Sequence, residues 1–513
     1  MKKTLLIVAL ILTLLTMAAC GNGSSNPSGS TPVSADGEAG SGASTPDNNS
    51  GEPVTLVLAH FGGGSLPDTD IVAENLSSIT EELINVRIEL LPITFAAWEQ
   101  QINLMVSGGE KLDLVHVMMN NFSTDVAKGK FLAIDQYMDN EAKELKEVVG
   151  DAYLSAGQID GIQYGVPSIR DMAASYGVCF RKDLLEKYGF NADDIKTVED
   201  LEAVYEVVSA GEPDMYMTYG QGNSISIVNQ LLTSRDDLGN GFGVLLNRGQ
   251  DDFNVVNWFS TDEYRGYLDM VRDWYLKGWI VADAVTNTES ATTLVKGGQL
   301  FSFCTNLKPG YDKQAGLSSG YEMVTSTISP AFSTTTQVGV LSWCLPINCE
   351  YPSEAMQFMN LMYTNADVVN AFDWGVEGVH YVKVEGEDNL ITYPEGVNES
   401  NTGWGLNLGW IFGNQLLSYV WEGNDPDLYV KLKEFNDTAI ISKALGFQFD
   451  ATNVKNEVAA LQNVTAEYRL SLEYGMVDVD ENLPKFLQAL EDAGINKVIA
   501  EKQAQLDAWL ALQ

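Results

Sequence analysis

Between residues 54 and 119 the chain alternates short apolar runs with stretches whose apolar residues recur every three or four positions. Val54–Ala59 (VTLVLA) is almost wholly apolar and is closed by His60-Phe61-Gly62-Gly63-Gly64-Ser65. A short run ended by glycines predicts a buried strand and a turn. Ile71, Val72, Leu76, Ile79 and Leu83 then fall at helical spacing, and Val86–Leu91 predicts a second strand. Phe95, Trp98, Ile102, Met105 and Val106 mark a second amphipathic helix ended by Gly108-Gly109, and Asp113–Met119 a third strand. Strands separated by helices predict an α/β fold with a parallel sheet. Ligands of such sheets sit beyond the carboxyl ends of the strands, which points to residues 60–65 and to Asn120-Asn121.

The pattern continues less regularly. Asp160–Pro167 reads as a turn and a β segment ending at proline, Tyr176–Phe180 as a strand, and RKDLLEKYG as the helix after it. Tyr264, Tyr267, Leu268, Val271, Trp274 and Tyr275 line one helix face. Gly339–Leu345 (GVLSWCL) predicts a buried strand, Ser353–Tyr363 a helix, and Val454–Leu512 is helical almost throughout.

The N-terminus follows other rules. Met1-Lys2-Lys3 precedes an uncharged apolar stretch, Thr4–Thr16. That stretch is shorter than the roughly 20 residues of a membrane-spanning helix, and a basic start before it predicts a signal peptide over residues 1–20. Met17-Ala18-Ala19-Cys20 resembles the lipobox of bacterial lipoproteins. The resemblance implies that Cys20 is lipidated and holds the protein at the outer face of the cell membrane. Residues 21–51, rich in Gly, Ser, Asn and Pro and free of aromatics, cannot bury enough apolar surface to fold and predict a disordered tether.

About 460 residues are left, enough for two lobes. The formal charge is −40, with 30 Lys and Arg against 70 Asp and Glu. So acidic a surface argues against a nucleic-acid partner, which needs basic residues to neutralise phosphates. Beyond Cys20 stand Cys179, Cys304, Cys344 and Cys349, too few for a disulfide scaffold in so large a body; Cys344 and Cys349 are free thiols or a local pair. No Cys/His spacing suits a metal and no cofactor motif is present. Asp478–Asn482 imitates the start of a calcium loop but lacks its glycine and closing glutamate, and a helix cap fits it better.

These segments in this order resemble family 1 extracellular solute-binding proteins. SGGEKLDLVHV, GKFLAIDQYM, DGIQYGVPSIRDM, FRKDLLEKYG, TLVKGGQLFSF and YPSEAMQFMNLMYTN carry the likeness between residues 107 and 365, within a resemblance that covers nearly all of residues 52–513. FDWGVEGVHY, GFQFDATNVKNEVAALQNVTAEY and AEKQAQLDAWL are similar to the LipO-type lipoprotein branch. The resemblance implies a two-lobe periplasmic-binding-protein-like (type II) fold with a hinge and an enlarged helical C-terminal region. It implies crossings near Pro167–Asp171, Ser326–Pro330 and Phe372–Glu377. The N-terminal lobe is then 52–168 plus 328–372, and the C-terminal lobe 169–327 plus 373–513. It implies a monomer that closes around a small solute and hands it to the permease of an ABC importer.

A carbohydrate is favoured, an oligosaccharide above all, because sugar faces need aromatic platforms and planar polar groups, and the chain has 10 Trp and 21 Tyr. The candidate contacts are Phe61 among glycines, Asn120 and Asn121 at a strand end, and Arg170 and Asp171 at the first crossing, where a hinge ion pair is the alternative. Trp343 lies inside an apolar strand and suits core as well. Trp374, Glu377 and His380 sit beside Gly375 and Gly378, and Trp404 and Trp410 stand in a Gly/Asn-rich stretch unusual for core. A peptide or another nutrient is the alternative ligand. A cell-surface glycosidase and an adhesin-like surface domain are further alternatives, but the chain shows no H-E-x-x-H helix that would mark a hydrolytic centre, and the reading is of a non-enzyme.

Overall fold

The apolar run after the tether is strand β1 (Val54–Phe61), with all but one of its eight residues buried. Through helix α1 (Thr69–Ile84) it returns to β2 (Val86–Ile93) and pairs with it in parallel, Val54 opposite Val86 and Phe61 opposite Ile93. The buried face of α1 differs from the apolar pattern. Ile71 and Leu83 are 49% and 50% exposed, whereas Ser77 and Thr80 lie inside with Val72 and Leu76. Ser77 Oγ accepts from the Ile88 N–H at 2.9 Å, and Thr80 Oγ1 donates to the Val86 carbonyl at 2.6 Å. Both hydroxyls are satisfied, so burying them costs little.

Helix α2 (Trp98–Gly108) buries Trp98, Ile102 and Val106 and stops at Gly109, whose φ of 68° suits only a residue without Cβ strain. Strand β3 (Val115–Met118) starts later than its apolar run. Asp113 turns its carboxylate inward to accept from the Val57 N–H at 2.8 Å, and Leu114 makes one parallel bridge to Leu58. Helix α3 (Met119–Ala127) follows at once, so Asn120 and Asn121 open a helix. The chain continues through β4 (Gly165–Pro167), β5 (Ala174–Arg181), α4 (Ile227–Leu231), β6 (Ser302–Leu307), β7 (Met323–Ser333) and β8 (Leu341–Cys344). It ends through α5 (Pro352–Thr364), α6 (Ala366–Asp373), β9 (Ile440–Ile441), α7 (Lys455–Glu473), α8 (Val479–Asp492) and α9 (Ile495–Leu510).

This architecture is that of a computed structural model, which describes residues 51–62 and 66–513. The signal peptide, Cys20, most of the tether and Gly63–Ser65 lie outside the described residues. Residues 52–513 form one compact unit.

Within it are two α/β lobes, each with its own sheet and core. The first sheet is not wholly parallel: β8 lies antiparallel between β3 and β4, because it enters from the far end after the chain has visited the other lobe. In the second sheet β5 is antiparallel to both β6 and β7, and β9 runs parallel along the free side of β7. The first core gathers Leu56, Leu58, Val72, Trp98, Leu114, Trp343, Phe358, Met359 and Phe372; the second gathers Val178, Phe180, Tyr205, Tyr264, Trp274, Phe301 and Phe303. The C-terminal helices enlarge the second core with Leu461, Leu472, Tyr474, Phe486, Leu490 and Val498.

Two expected crossings fall elsewhere. Ser326–Pro330 lies within β7, which stays paired with β5 up to Phe332. Trp404, Ile411 and Phe412 pack into the first core, so the chain has not left that lobe at Phe372–Glu377. Ala156, Met172, Val338 and Leu445 form a separate small cluster.

Asp478 N-caps α8, its side chain accepting from the Glu481 N–H at 3.0 Å, which accounts for the calcium-like run. Cys179, Cys304, Cys344 and Cys349 are all free thiols. Among the described residues no group of three or more acidic, His or Cys side chains is placed to hold a metal, and no helix is long and apolar enough to cross a membrane.

Candidate functional site

Strand direction locates the site. β1 and β3 are parallel, and β4, like β3, is antiparallel to β8, so the carboxyl ends of β1, β3 and β4 lie at one edge of the first lobe. β4 leads directly into Ser168–Asp171 and on to β5, so this edge faces the connections. In the second lobe the start of β5 and the ends of β6 and β7 lie at the matching edge, where Ser175 pairs with Leu307 and Ala174 with Phe332. Each lobe has a cavity at this edge.

The cavity of the first lobe holds about 170 Å³ and is lined by Phe61, Phe95, Trp98, His116, Met118 and Phe131, with Glu99, Asn103 and Asp125 among the polar groups. Phe95 stacks on Phe61 at a centroid distance of 4.0 Å, and Trp98 lies parallel to the His116 ring at 4.1 Å. Trp98 and Phe61 are buried, while Phe95 is 53% exposed and forms the lip. His116 is fully buried with both ring nitrogens unpartnered, and burial, then the neighbouring His60, holds its pKa well below the usual imidazole value. It is a neutral aromatic in this wall. His60 is likewise lowered, to about 4, by burial against the smaller opposing effect of its bond to the Phe61 carbonyl.

The cavity of the second lobe is larger, about 450 Å³, and polar. Tyr176 and Asn306, a cross-strand pair at the connection end of β5 and β6, form its floor with Trp258. Asn229, Gln230, Thr233, Arg235, Asp237 and Asn240 come from α4 and the loop after it. Thr465, Arg469 and Glu473 come from one face of α7. Arg235 is held from three sides: Nε donates to Asp237 Oδ1 at 2.8 Å, Nη2 to Asn229 Oδ1 at 3.0 Å, and its guanidinium lies 4.7 Å from the Trp258 ring centroid. Its Nη1 and the Gln230 Oε1 are buried and have no partner among the described residues. Such a wall suits a ligand rich in hydroxyls, which both donate and accept.

Arg170 and Asp171 stand between the cavities as a buried ion pair with each other. Lys308 Nζ approaches Asp171 Oδ2 at 3.2 Å, Arg170 Nη2 donates to the Gln337 carbonyl at 3.1 Å, and the Gln337 amide returns a bond to the Asp171 carbonyl. Asn436 Nδ2 donates to the Arg170 carbonyl at 2.6 Å. Burial tends to raise the Asp171 pKa, but Arg170 and Lys308 hold it below the ordinary carboxylate value. These bonds join three chain connections, around residues 170, 337 and 436.

Of the other candidate residues, Phe61 lines one of these two cavities. The backbone of Asn120 and Asn121 is described and their side chains are not. Trp343 is core, its Nε1 donating to the Ile411 carbonyl at 2.7 Å. Trp374 donates to Ser418 Oγ at 2.9 Å within a side cluster with Tyr381 and Ile391. Trp404, expected to stand free, is 1% exposed and donates to the Phe372 carbonyl at 2.9 Å; Trp410 is half-buried against the same core. His380 Nδ1 accepts from the Val376 N–H, so its Nε2–H faces Asp68 Oδ2 at 3.1 Å and ties this segment to the start of α1. Glu377 is exposed and lines neither cavity. The residues that sequence reasoning missed are Phe95, Trp98 and His116 in one wall and Arg235, Trp258, Asn306 and Arg469 in the other. Phe95 and Trp98 carried a signal, two aromatics directly beyond a strand end; the second wall is assembled from five separate stretches and carried none.

Known proteins share this architecture. A carbohydrate ABC transporter substrate-binding protein of Streptococcus pneumoniae serotype 4 (strain ATCC BAA-334 / TIGR4) is 25% identical over 479 residues, covering 88% of this chain and 91% of that protein. The crystal structure of the N-glycan transport solute binding protein NgtS from Streptococcus pneumoniae matches with a TM-score of 0.74 at 22% identity, over 90% of this chain and 99% of that one. The same protein in complex with Man1GlcNAc matches at 0.66 and 23% identity, over 89% and 99%. Residues 443–511 match a domain of unknown function, DUF3502. Residues 79–369, more than half of the chain and spanning both sheets, match the model described as bacterial extracellular solute-binding protein, and the chain belongs to that family.

Proposed function

We propose that this protein captures an oligosaccharide between its two lobes outside the cell and delivers it to the permease of an ABC importer. The observation that carries the reading is the pairing of an aromatic cavity in one lobe with a hydroxyl-matching polar cavity in the other, both at the edge that faces the connections. Aromatic walls take the apolar faces of sugar rings, and spare donors and acceptors take their hydroxyls. The relative that acts as a carbohydrate ABC transporter substrate-binding protein supports the same class, as does the NgtS complex with Man1GlcNAc. The protein works by binding and closure, as a monomer and without catalysis.

The two cores support a first lobe of residues 52–169 with 339–417 and a second of 174–333 with 440–513. The stretches between them form the hinge, and Met172 and Val338 from two of these cluster with Leu445 of the second lobe. Ligand contacts from both lobes favour the closed arrangement by their differential affinity for it. The lipobox-like Met17–Cys20 supports a lipid anchor at Cys20, which keeps the receptor beside its permease.

A thermal-shift and calorimetric screen of residues 52–513 tests the reading. The panel holds mannose- and N-acetylglucosamine-containing oligosaccharides, malto-oligosaccharides and short peptides. A solute at 100 times its Kd adds about 2.7 kcal/mol of stability. Stabilisation by an oligosaccharide is the expected result; stabilisation by peptides alone overturns the carbohydrate assignment.

A further inference from the structure

Residues 443–511 match a domain to which no function is attached. They contain α7, α8 and α9, whose apolar faces join the second core. One polar face of α7 does not. Thr465, Arg469 and Glu473, spaced four residues apart, line the polar cavity opposite Arg235, Asn229 and Asn306. Glu473 is buried and already engaged: its carboxylate accepts from Ser226 Oγ and, at 3.2 Å, from the Tyr264 hydroxyl. Arg469 lies 3.9 Å from that carboxylate and makes no hydrogen bond among the described residues, although its side chain is only 28% exposed. Arg235 across the cavity keeps an unpartnered Nη1. Two guanidiniums therefore line one cavity, their charges balanced by Asp237 and Glu473, and of the two Arg469 is the one with unengaged, partly exposed N–H groups among the described residues.

The last helix fixes the cavity's rim. Lys502 on α9 is fully buried and donates to Asn240 Oδ1 at 2.8 Å and to the Gly243 carbonyl at 2.9 Å. Asn240 and its neighbours Gly241 and Phe242 belong to the cavity wall. The C-terminal helices thus supply both a wall and the support of the opposite loop.

We infer that the C-terminal helical segment completes the solute-binding cavity, with Arg469 as a specificity-determining donor to an oxygen-rich, uncharged group of the solute, such as a sugar hydroxyl pair. The inference rests on the binding role proposed above. A guanidinium only donates, and its planar fork suits two adjacent acceptors, so lysine is an incomplete replacement.

The test compares wild type, Arg469→Gln, Arg469→Lys and, as a control on an exposed helix pair away from the cavity, Arg265→Gln, each as residues 52–513. Affinity is measured for the tightest-binding member of the panel above. Arg469→Gln is expected to weaken binding by about 10- to 100-fold; because it also removes the cation beside buried Glu473, a lower melting temperature is expected, and far-UV circular dichroism at the assay temperature checks that the variant is folded. Arg469→Lys restores part of the loss and Arg265→Gln changes nothing. A sugar that binds wild type and Arg469→Gln within twofold of each other overturns this inference and leaves the carbohydrate reading intact. A peptide as the sole stabilising solute, weakened by Arg469→Gln, overturns the carbohydrate reading and upholds the role of α7. Stabilisation by no member of the panel overturns both.

Discussion

The two cavities face the same connections but are built in opposite ways. The first is about 170 Å³ and aromatic, its rings stacked on one another, and its walls come from β1, the segment around α2, β3, α3 and Phe131, all within 80 residues. The second is about 450 Å³ and polar, with Arg235 braced by Asp237, Asn229 and Trp258 and with walls drawn from residues 176 to 473. One offers dispersion and shape, the other directional donors and acceptors. A guest that satisfies both has an apolar face and many hydroxyls, and neither lobe alone surrounds it.

The contrast is broken most severely in the aromatic wall. Trp98→Ala removes a buried ring that stacks on His116, and a cost of about 3–5 kcal/mol in urea unfolding is expected, together with loss of oligosaccharide binding in calorimetry. Trp404→Ala is expected to cost a similar amount of stability with affinity unchanged where the protein is still folded, since Trp404 lies in the core and lines neither cavity. In the polar wall, Arg235→Gln removes a fixed charged donor. Its expected cost is about 1.5–3 kcal/mol of binding free energy, read as Kd.

Acid sharpens the contrast because His60, His116 and His380 all belong to the first lobe or to the segment packed on it. His60 has its folded pKa lowered from 6.5 to about 4, so the unfolded chain binds more protons between those values. Its contribution is present above pH 6.5 and is lost as pH falls toward 4, about 3 kcal/mol in all. Asp373 opposes this: burial raises its pKa from 3.8 to about 6, so its penalty is relieved over much of the same range. His116, also held well below its usual value by burial, acts in the same direction as His60. Urea midpoints at pH 7 and pH 5 are expected to fall with acid, and His116→Phe is expected to reduce that fall. The smallest effect is expected at Glu377: Glu377→Gln leaves affinity within twofold by calorimetry, since this exposed carboxylate lines neither cavity.

The first lobe was the more legible one for a physical reason. Its alternation of strands and helices is local, so hydrophobic period and glycine stops located β1, α1, β2, α2 and β3 within a few residues. The misses are tertiary. Ser77 and Thr80 face inward because β2 supplies partners for their hydroxyls, which no spacing rule sees. Trp404 looked free among Gly and Asn, yet the loop around it folds back over Phe372. The strand β8 is antiparallel because of where the chain has been, not because of its own residues. The polar cavity joins residues nearly 300 apart in sequence, and none of Asn229, Arg235 or Arg469 differs by type from an ordinary surface residue until the fold brings them together.

The account stands on a guest held by both walls at once. Small-angle X-ray scattering of residues 52–513, recorded alone and with a saturating oligosaccharide shown by calorimetry to bind, tests it most directly. A smaller radius of gyration in the saturated sample is the predicted result, because contacts on both lobes favour closure. An unchanged scattering curve at full occupancy contradicts it, since the solute would then be held by one lobe alone.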